Sequence, residues 1–372
     1  MQFPTKAVHD ILAHSPFLGQ LSQFGFACAD LPAGSHFLTS LRTEILSLQE
    51  NQLLVPNWSR FVNKDTTTAL QKTGIHEDNL PLDNPYSAPA LEALWSERSN
   101  ITNTINANTT TTTTHHQHGL PQLGLPSIKI QYNAGDGACF PCHFDSDASV
   151  DQRCLTFILY LNPEYLTVTS DAAAAQEQGG HFVAYPIPFP PVSFSPSMGR
   201  IVAFSSRNML HRTLPCRSLD PRCCLTLWFP EAEEVGAEEG EVAAGVELDA
   251  TPETLDFVTR DDFMPYVQVS EDDIAALNFL LEPDMRPHLA RLMLAGEWID
   301  SLRASHVDQQ ADVNTYIEKG LIQDLGIIEQ ALVGHVQAKG LRNWTSTHLR
   351  ELSGKLPLNG ERHQESNLRW WV

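Results

Sequence analysis

Between Pro126 and Pro230 the chain is cut into short apolar runs of strand length, separated by proline- and glycine-rich turns. No helical pattern lies between them. Ile128, Ile130 and Tyr132 alternate with Lys129 and Gln131, the period of a half-buried strand. CLTFILYL (154–161) is continuously apolar, and HFVAY (181–185), RIVAF (200–204) and RCCLTLWF (222–229) follow. Such runs hide their apolar faces by packing sheet on sheet, so the segment predicts a mainly β core of sandwich or barrel type.

The flanks differ from this core. Leu38, Leu41, Ile45 and Leu48 recur at helical spacing within 37–53, and Leu91, Leu94 and Trp95 do so within 89–103, with Ser87 as a cap. NTINANTTTTTTHHQHGL then has no periodicity and reads as a disordered surface tract. Its His115, His116 and His118 would have no fixed geometry for a metal. DAAAAQEQ (171–178) is long enough only for a loop or one helical turn. Six Glu between 231 and 241 mark a solvated linker. Ser270 before Glu271, Asp272 and Asp273 opens a helical stretch that continues to Val372 and carries no chemical motif. The expected organisation is a helical support region at 1–119 with the disordered tract at about 100–118, the β core at 120–230, an acidic linker at 231–263 and a helical appendage at 264–372.

Charge and cysteine usage narrow the function. The formal charge of −21 repels phosphate backbones, and no basic patch offsets it, so nucleic-acid binding is not expected. No apolar run reaches the roughly 20 residues that span a bilayer, and the first twenty residues make a poor signal or transit peptide. Seven scattered cysteines fit no disulfide framework and point to a reducing cytoplasmic or nuclear setting.

GACFPCHFDSD (137–147) holds two overlapping signals. Cys139-x-x-Cys142-His143 has the spacing of a haem attachment or a redox dithiol. Strand alternation turns Cys142 away from His143, no helix pattern follows, and no second cysteine pair has zinc spacing, so that reading lacks its context. Cys139 remains a candidate oxidisable thiol. His143-x-Asp145 instead presents an imidazole and a carboxylate on one face of a strand. With His211, 66 positions after Asp145, it would complete a two-histidine, one-carboxylate set for non-haem iron. On the last strand Arg222, Cys224, Thr226 and Trp228 share a face, and Thr156, Ile158 and Tyr160 share one on the 153–161 strand. An Arg and a Tyr there suit the wall of a buried anion pocket.

Taken in order, IQYNAGDGACFPCHFDSD, RCLTFILYLNP, GGHFVAYP, GRIVAFSSRNMLHRTLP and RCCLTLWF resemble the iron(II)- and 2-oxoglutarate-dependent dioxygenases, in their prolyl 4-hydroxylase-like branch. The resemblance implies a double-stranded β-helix, or jelly-roll, core over about residues 127–230. It implies His143, Asp145 and His211 as iron ligands, Arg222 and Tyr160 on the distal carboxylate of 2-oxoglutarate, and Tyr132 and Thr226 close by. Fe(II) as cofactor, ascorbate as reductant, O2 as co-substrate and a protein or peptide prolyl substrate follow from it, with succinate and CO2 as products. Two alternatives stay open: an oxygenase acting on a small molecule or another side chain, and a non-catalytic jelly-roll binding module.

Overall fold

The structure is a computed structural model that describes residues 8, 10–12, 15–32, 35–62, 67–83, 86–109, 120–147, 151–163, 179–218, 220–232, 270–356 and 370–371. Among these, eleven strands form two antiparallel sheets. In chain order they are β1 (Phe26–Asp30), β2 (Val55–Val62), β3 (Thr67–Leu80), β4 (Ser127–Asn133), β5 (Phe140–His143), β6 (Arg153–Tyr160), β7 (Phe182–Tyr185), β8 (Val192–Phe194), β9 (Arg200–Ser205), β10 (Leu210–Thr213) and β11 (Arg222–Pro230). The larger sheet runs β1-β9-β6-β11-β4-β3-β2 and the smaller β5-β10-β7-β8. The two sheets and the flanking helices make up the double-stranded β-helix core with added helices that the runs between Pro126 and Pro230 predict.

β6 is buried along nearly its whole length because both of its faces are covered. Cys223, Leu225 and Leu227 of β11 register with Tyr132, Ile130 and Ile128 of β4, and this greasy side meets the N-terminal helices. The helix α1 covers Ser15–Phe24, α2 His36–Glu50 and α3 Pro89–Thr109. Leu38, Leu41, Ile45 and Leu48 of α2 are fully buried, as their spacing predicts, each removal from water contributing roughly 1.5–3 kcal/mol. The N-terminus of α3 is held by Glu44 of α2, whose carboxylate accepts from Ala90 N and Leu91 N at 2.9 Å; this takes the role expected of Ser87.

Three expectations about organisation are corrected. The first 119 residues are not a helical support alone, because β1, β2 and β3 join the larger sheet. β3 is largely polar and β2 mixed in polarity, so neither shows strand periodicity; β3 is specified by pairing with β4, and β2 by pairing with β3. The first part of the tract expected to be disordered is instead helical, since α3 runs to Thr109 with Ile101 and Ile105 buried and Asn106 bonded to both Leu123 N and Leu123 O at 2.9 Å; residues 110–119 lie outside the described residues. Third, the C-terminal region is no appendage. Its helices are α4 (Glu271–Leu280), α5 (Arg286–Met293), α6 (Ala295–Ser305), α7 (Gln310–Tyr316), α8 (Ile322–Ala338) and α9 (Ser346–Ser353). Leu277, Leu289, Leu332 and Trp370 belong to the same core as the sheets. α6 covers the edge strand β5, where Ser301 Oγ accepts the Cys142 N–H at 2.9 Å. Ser270 caps α4 by accepting from Asp273 N, as expected.

His115, His116, His118, the 171–178 segment and, beyond Glu231 and Ala232, the acidic linker lie outside the described residues. Among those described, no helix is long and apolar enough to cross a membrane.

Candidate metal centre

His143 ends β5, and β10 places His211 directly across from it. The two rings lie 4.2 Å apart between centroids. In each, Nδ1 is fixed by the backbone carbonyl two residues earlier: His143 Nδ1 donates to Pro141 O at 2.7 Å and His211 Nδ1 to Met209 O at 3.0 Å. That arrangement assigns the proton to Nδ1 and leaves each Nε2 lone pair free to bind a metal. Phe182 stacks on His211 at 5.1 Å and Phe204 approaches it at 4.5 Å, so this imidazole is locked by packing as well.

Asp145 does not lie on a strand, contrary to the simple alternation argument. β5 stops at His143, and the following backbone leaves the sheet because Asp145 N and Ser146 N both donate to Ser206 O, at 3.1 and 3.2 Å. The turn still brings the carboxylate back to the imidazoles. Asp145 Oδ1 is 3.4 Å from His143 Nε2 and 3.5 Å from His211 Nε2. Oδ2 turns the other way and accepts from Thr156 Oγ1 at 2.7 Å and Trp228 Nε1 at 3.1 Å. One oxygen is therefore held by the protein while the other faces the histidines. Burial would raise the Asp145 pKa, but the charges and hydrogen bonds of His211 and His143 hold it well below the ordinary carboxylate range. Lost hydration and the neighbouring His211 push the His143 imidazole down, although a third of that side chain remains open. Two neutral imidazole nitrogens and one anionic oxygen suit a divalent metal. Among the described residues, His143, Asp145 and His211 are the group that could hold one. Adjacent ligands at about 2.1 Å from an ion lie roughly 3 Å apart, close to the spacing found.

The inner face of the larger sheet continues from this group toward Arg222. Trp228, Thr226 and Cys224 of β11 register with Thr156, Ile158 and Tyr160 of β6, so the two semi-polar faces expected from alternation form one surface. Arg222 is 1% exposed, with its guanidinium carbon 5.0 Å from the Tyr160 ring centroid. No ion pair reaches it among the described residues. Arg222 Nε, Tyr160 Oη and Asn133 Nδ2 are all buried without a hydrogen-bond partner. Burial pushes the Tyr160 phenol up, which keeps it a donor. Three buried donors with nothing to donate to are the signature of a missing acceptor, and an anionic ligand is what they match.

Tyr132 needs correction. It registers with Cys223 rather than Arg222, so it points toward the helices, away from this pocket. Its neighbours Gln131 and Asn133 face inward instead, joined by a 2.9 Å hydrogen bond. The partners of Asp145 also went unread in the sequence. Thr156 and Trp228 could be placed on an inward face, but nothing in their spacing pointed to the carboxylate, and Ser206 had no signal at all. Cys142 does face away from the histidines, beside Ser301, and burial pushes the thiols of Cys139 and Cys142 up to about 12 and about 11. Neither is poised as a thiolate.

Residues 129–230 match the family model of the 2OG-Fe(II) oxygenase superfamily. A prolyl 4-hydroxylase from Phytophthora capsici is similar in structure over 95% of this chain and 96% of its own, at 22% identity and a TM-score of 0.57. A Trichoplax adhaerens prolyl hydroxylase, solved with a hypoxia inducible factor oxygen degradation domain peptide, covers 61% of this chain and 90% of its own at 19% identity and a TM-score of 0.46. A Pseudomonas putida prolyl-4-hydroxylase covers 60% and 100%, at 19% identity and 0.44. Comparison with curated proteins gave no match. The matched family implies Fe(II) and 2-oxoglutarate, which agrees with the donor set at His143, Asp145 and His211 and with the unsatisfied donors around Arg222. Residues 129–230 therefore match the 2OG-Fe(II) oxygenase superfamily, within a fold shared with a prolyl 4-hydroxylase.

Proposed function

We propose that the protein is a dioxygenase that uses iron(II), O2 and 2-oxoglutarate to hydroxylate a prolyl residue of a protein or peptide, releasing succinate and CO2. The observation that carries this reading is the pairing of two features on one inner face. A three-donor metal group stands at one end, and a buried arginine with no anionic partner stands at the other.

His143 Nε2, His211 Nε2 and Asp145 Oδ1 would hold the iron, with Thr156 and Trp228 restraining the second carboxylate oxygen so that Asp145 binds through one atom. Arg222, Tyr160 and Asn133 would hold the distal carboxylate of 2-oxoglutarate. Thr156 and Tyr160 are four residues apart on β6, roughly 13 Å of strand. Thr226 and Ile158, paired between the two ends, would form the floor beneath the co-substrate. When bound, iron supplies the oxidising chemistry. The protein's part is to orient the co-substrate and exclude water with Phe182, Phe204 and Ile158. Ascorbate is the reductant expected to keep the metal ferrous. The prolyl assignment is supported by the fold shared with a prolyl 4-hydroxylase over nearly the full chain.

The test is turnover of the full chain with Fe(II), ascorbate and 2-oxoglutarate, with and without proline-containing peptides. Succinate release is expected, with peptide mass rising by one oxygen on proline, and Asp145→Ala should abolish both. Succinate release with oxygen on another residue or on a small molecule would overturn the prolyl assignment. Equal silence of wild type and variant would overturn the enzymatic reading.

A further inference from the structure

We infer that Trp370 is a positioning residue for the metal ligands, acting through the turn between β9 and β10. The inference rests on the reading that His143, Asp145 and His211 hold a metal. Trp370 lies outside the pocket and touches none of the three.

The turn, residues 206–209, serves two of the ligands at once. Ser206 O accepts from Asp145 N and Ser146 N, which fixes where the chain leaves β5. Ser206 Oγ lies 2.8 Å from Thr156 Oγ1, which in turn contacts Asp145 Oδ2 at 2.7 Å. Each hydroxyl has one proton, and the carboxylate can only accept. The Thr156 proton therefore goes to Asp145, and the Ser206 proton goes to Thr156. At the other end of the turn, Met209 O takes the Nδ1–H of His211 and so sets its tautomer. A displacement of this turn would move Asp145 and His211 together.

Trp370 closes the turn from outside. Its carbonyl oxygen accepts from Ser205 Oγ at 3.2 Å and from Asn208 Nδ2 at 3.1 Å, the residues on either side of Ser206 and Arg207. The indole is held in its own right. Nε1 donates to Gln23 O at 3.1 Å, and the Arg286 guanidinium carbon lies 4.2 Å from the ring centroid. The ring lies flat against Gly25, where a Cβ would fall 2.2 Å from ring atom Cδ2 and where φ is +70°, so the slot requires glycine twice over. Gly25 O also accepts from Ser205 N at 2.9 Å. Ring, glycine and turn thus form one buried unit, with Trp370, Ser205 and Ser206 each 1% exposed or less. A residue 225 positions after Asp145 restrains the backbone that aims it.

Co(II) titration of the full chain tests this, read through the visible ligand-field band and the dissociation constant well below the melting temperature. Trp370→Ala is expected to weaken Co(II) about tenfold and to shift the band, as loss of supporting groups around ligands does. Trp370→Phe, which keeps a flat ring over Gly25, should recover most of the affinity. The double variant Ser205→Ala/Asn208→Ala, which leaves the indole packing intact, should reproduce the weakening if Trp370→Ala fails to fold. Combined with Ser206→Ala, the Trp370→Ala effect should be less than additive. A lowered melting temperature with unchanged Co(II) affinity and band in Trp370→Ala, or in the double variant, would overturn the inference. A wild type that binds no Co(II) would overturn the metal-site reading itself and this inference with it.

Discussion

Arg222 in the β core and Arg286 on α5 are equally buried, at 1% exposure, and each lies over an aromatic ring. Their surroundings otherwise diverge. Arg286 donates to Leu281 O at 2.7 Å and stacks on Trp370. Arg222 has only Cys224 Sγ at 3.6 Å as a weak acceptor, leaves Nε without a partner and sits beside two more unsatisfied donors. Burying a guanidinium is costly in either place. Around Arg286 the fold supplies a carbonyl and an aromatic ring. Around Arg222, compensation must come from something that binds. Burial alone does not identify a functional arginine, and Arg222 is set apart by the two further unsatisfied donors beside it, Tyr160 Oη and Asn133 Nδ2.

Breaking each arginine should therefore give opposite results. Arg222→Met is expected to weaken 2-oxoglutarate binding to the metal-loaded protein by about a hundredfold, the usual effect of removing one side of a buried charge pair. The same variant without co-substrate should melt no lower than wild type, because an uncompensated buried charge has been removed. An unchanged dissociation constant, or a clear loss of stability in the free protein, would remove Arg222 from the pocket. Arg286→Met should behave the other way. Chemical unfolding should show a loss of about 2 kcal/mol from the hydrogen bond and the ring contact, while 2-oxoglutarate affinity changes by less than about tenfold.

Lys72 extends the comparison to a buried cation that can shed its charge. It donates to Asn57 Oδ1 and lies 5.1 Å from the Phe140 ring centroid. Burial first, and Lys129 second, push it down to about 8. The unfolded chain keeps that proton up to about pH 10.4, so between these values it binds more protons than the folded state. Stability should then rise as pH increases from 8 to 10, by an amount on the order of 1 kcal/mol from this group. Lys72→Met should flatten that rise in unfolding curves measured across the range. A slope that survives the substitution would assign it to other groups.

The strands of the core were readable because each runs through a regular pattern of apolar residues. β1, β2 and β3 were not, since β1 is only five residues long and β2 and β3 mix polar and apolar residues without a regular period. Alternation correctly grouped Arg222 with Cys224, Thr226 and Trp228, and Thr156 with Tyr160. It could say which residues share a face, but not which face looks inward. Tyr132 shows the consequence: placed by resemblance beside the co-substrate, it proves to belong with the apolar residues under the helices. Asp145 shows another, where the expected strand gave way to a turn and the carboxylate still arrived beside both histidines.

By itself, then, the sequence determined the β character of residues 126–230, the chemical set His143, Asp145 and His211, and the sharing of faces along β6 and β11. These are local properties, carried by neighbours two residues apart and by side-chain type. The tertiary structure alone decided which oxygen of Asp145 faces the histidines, which side of β4 lines the pocket, and that the C-terminal helices and Trp370 join the same core. Those facts depend on contacts among residues 145, 156, 206, 228 and 370, which meet only when the chain has closed on itself.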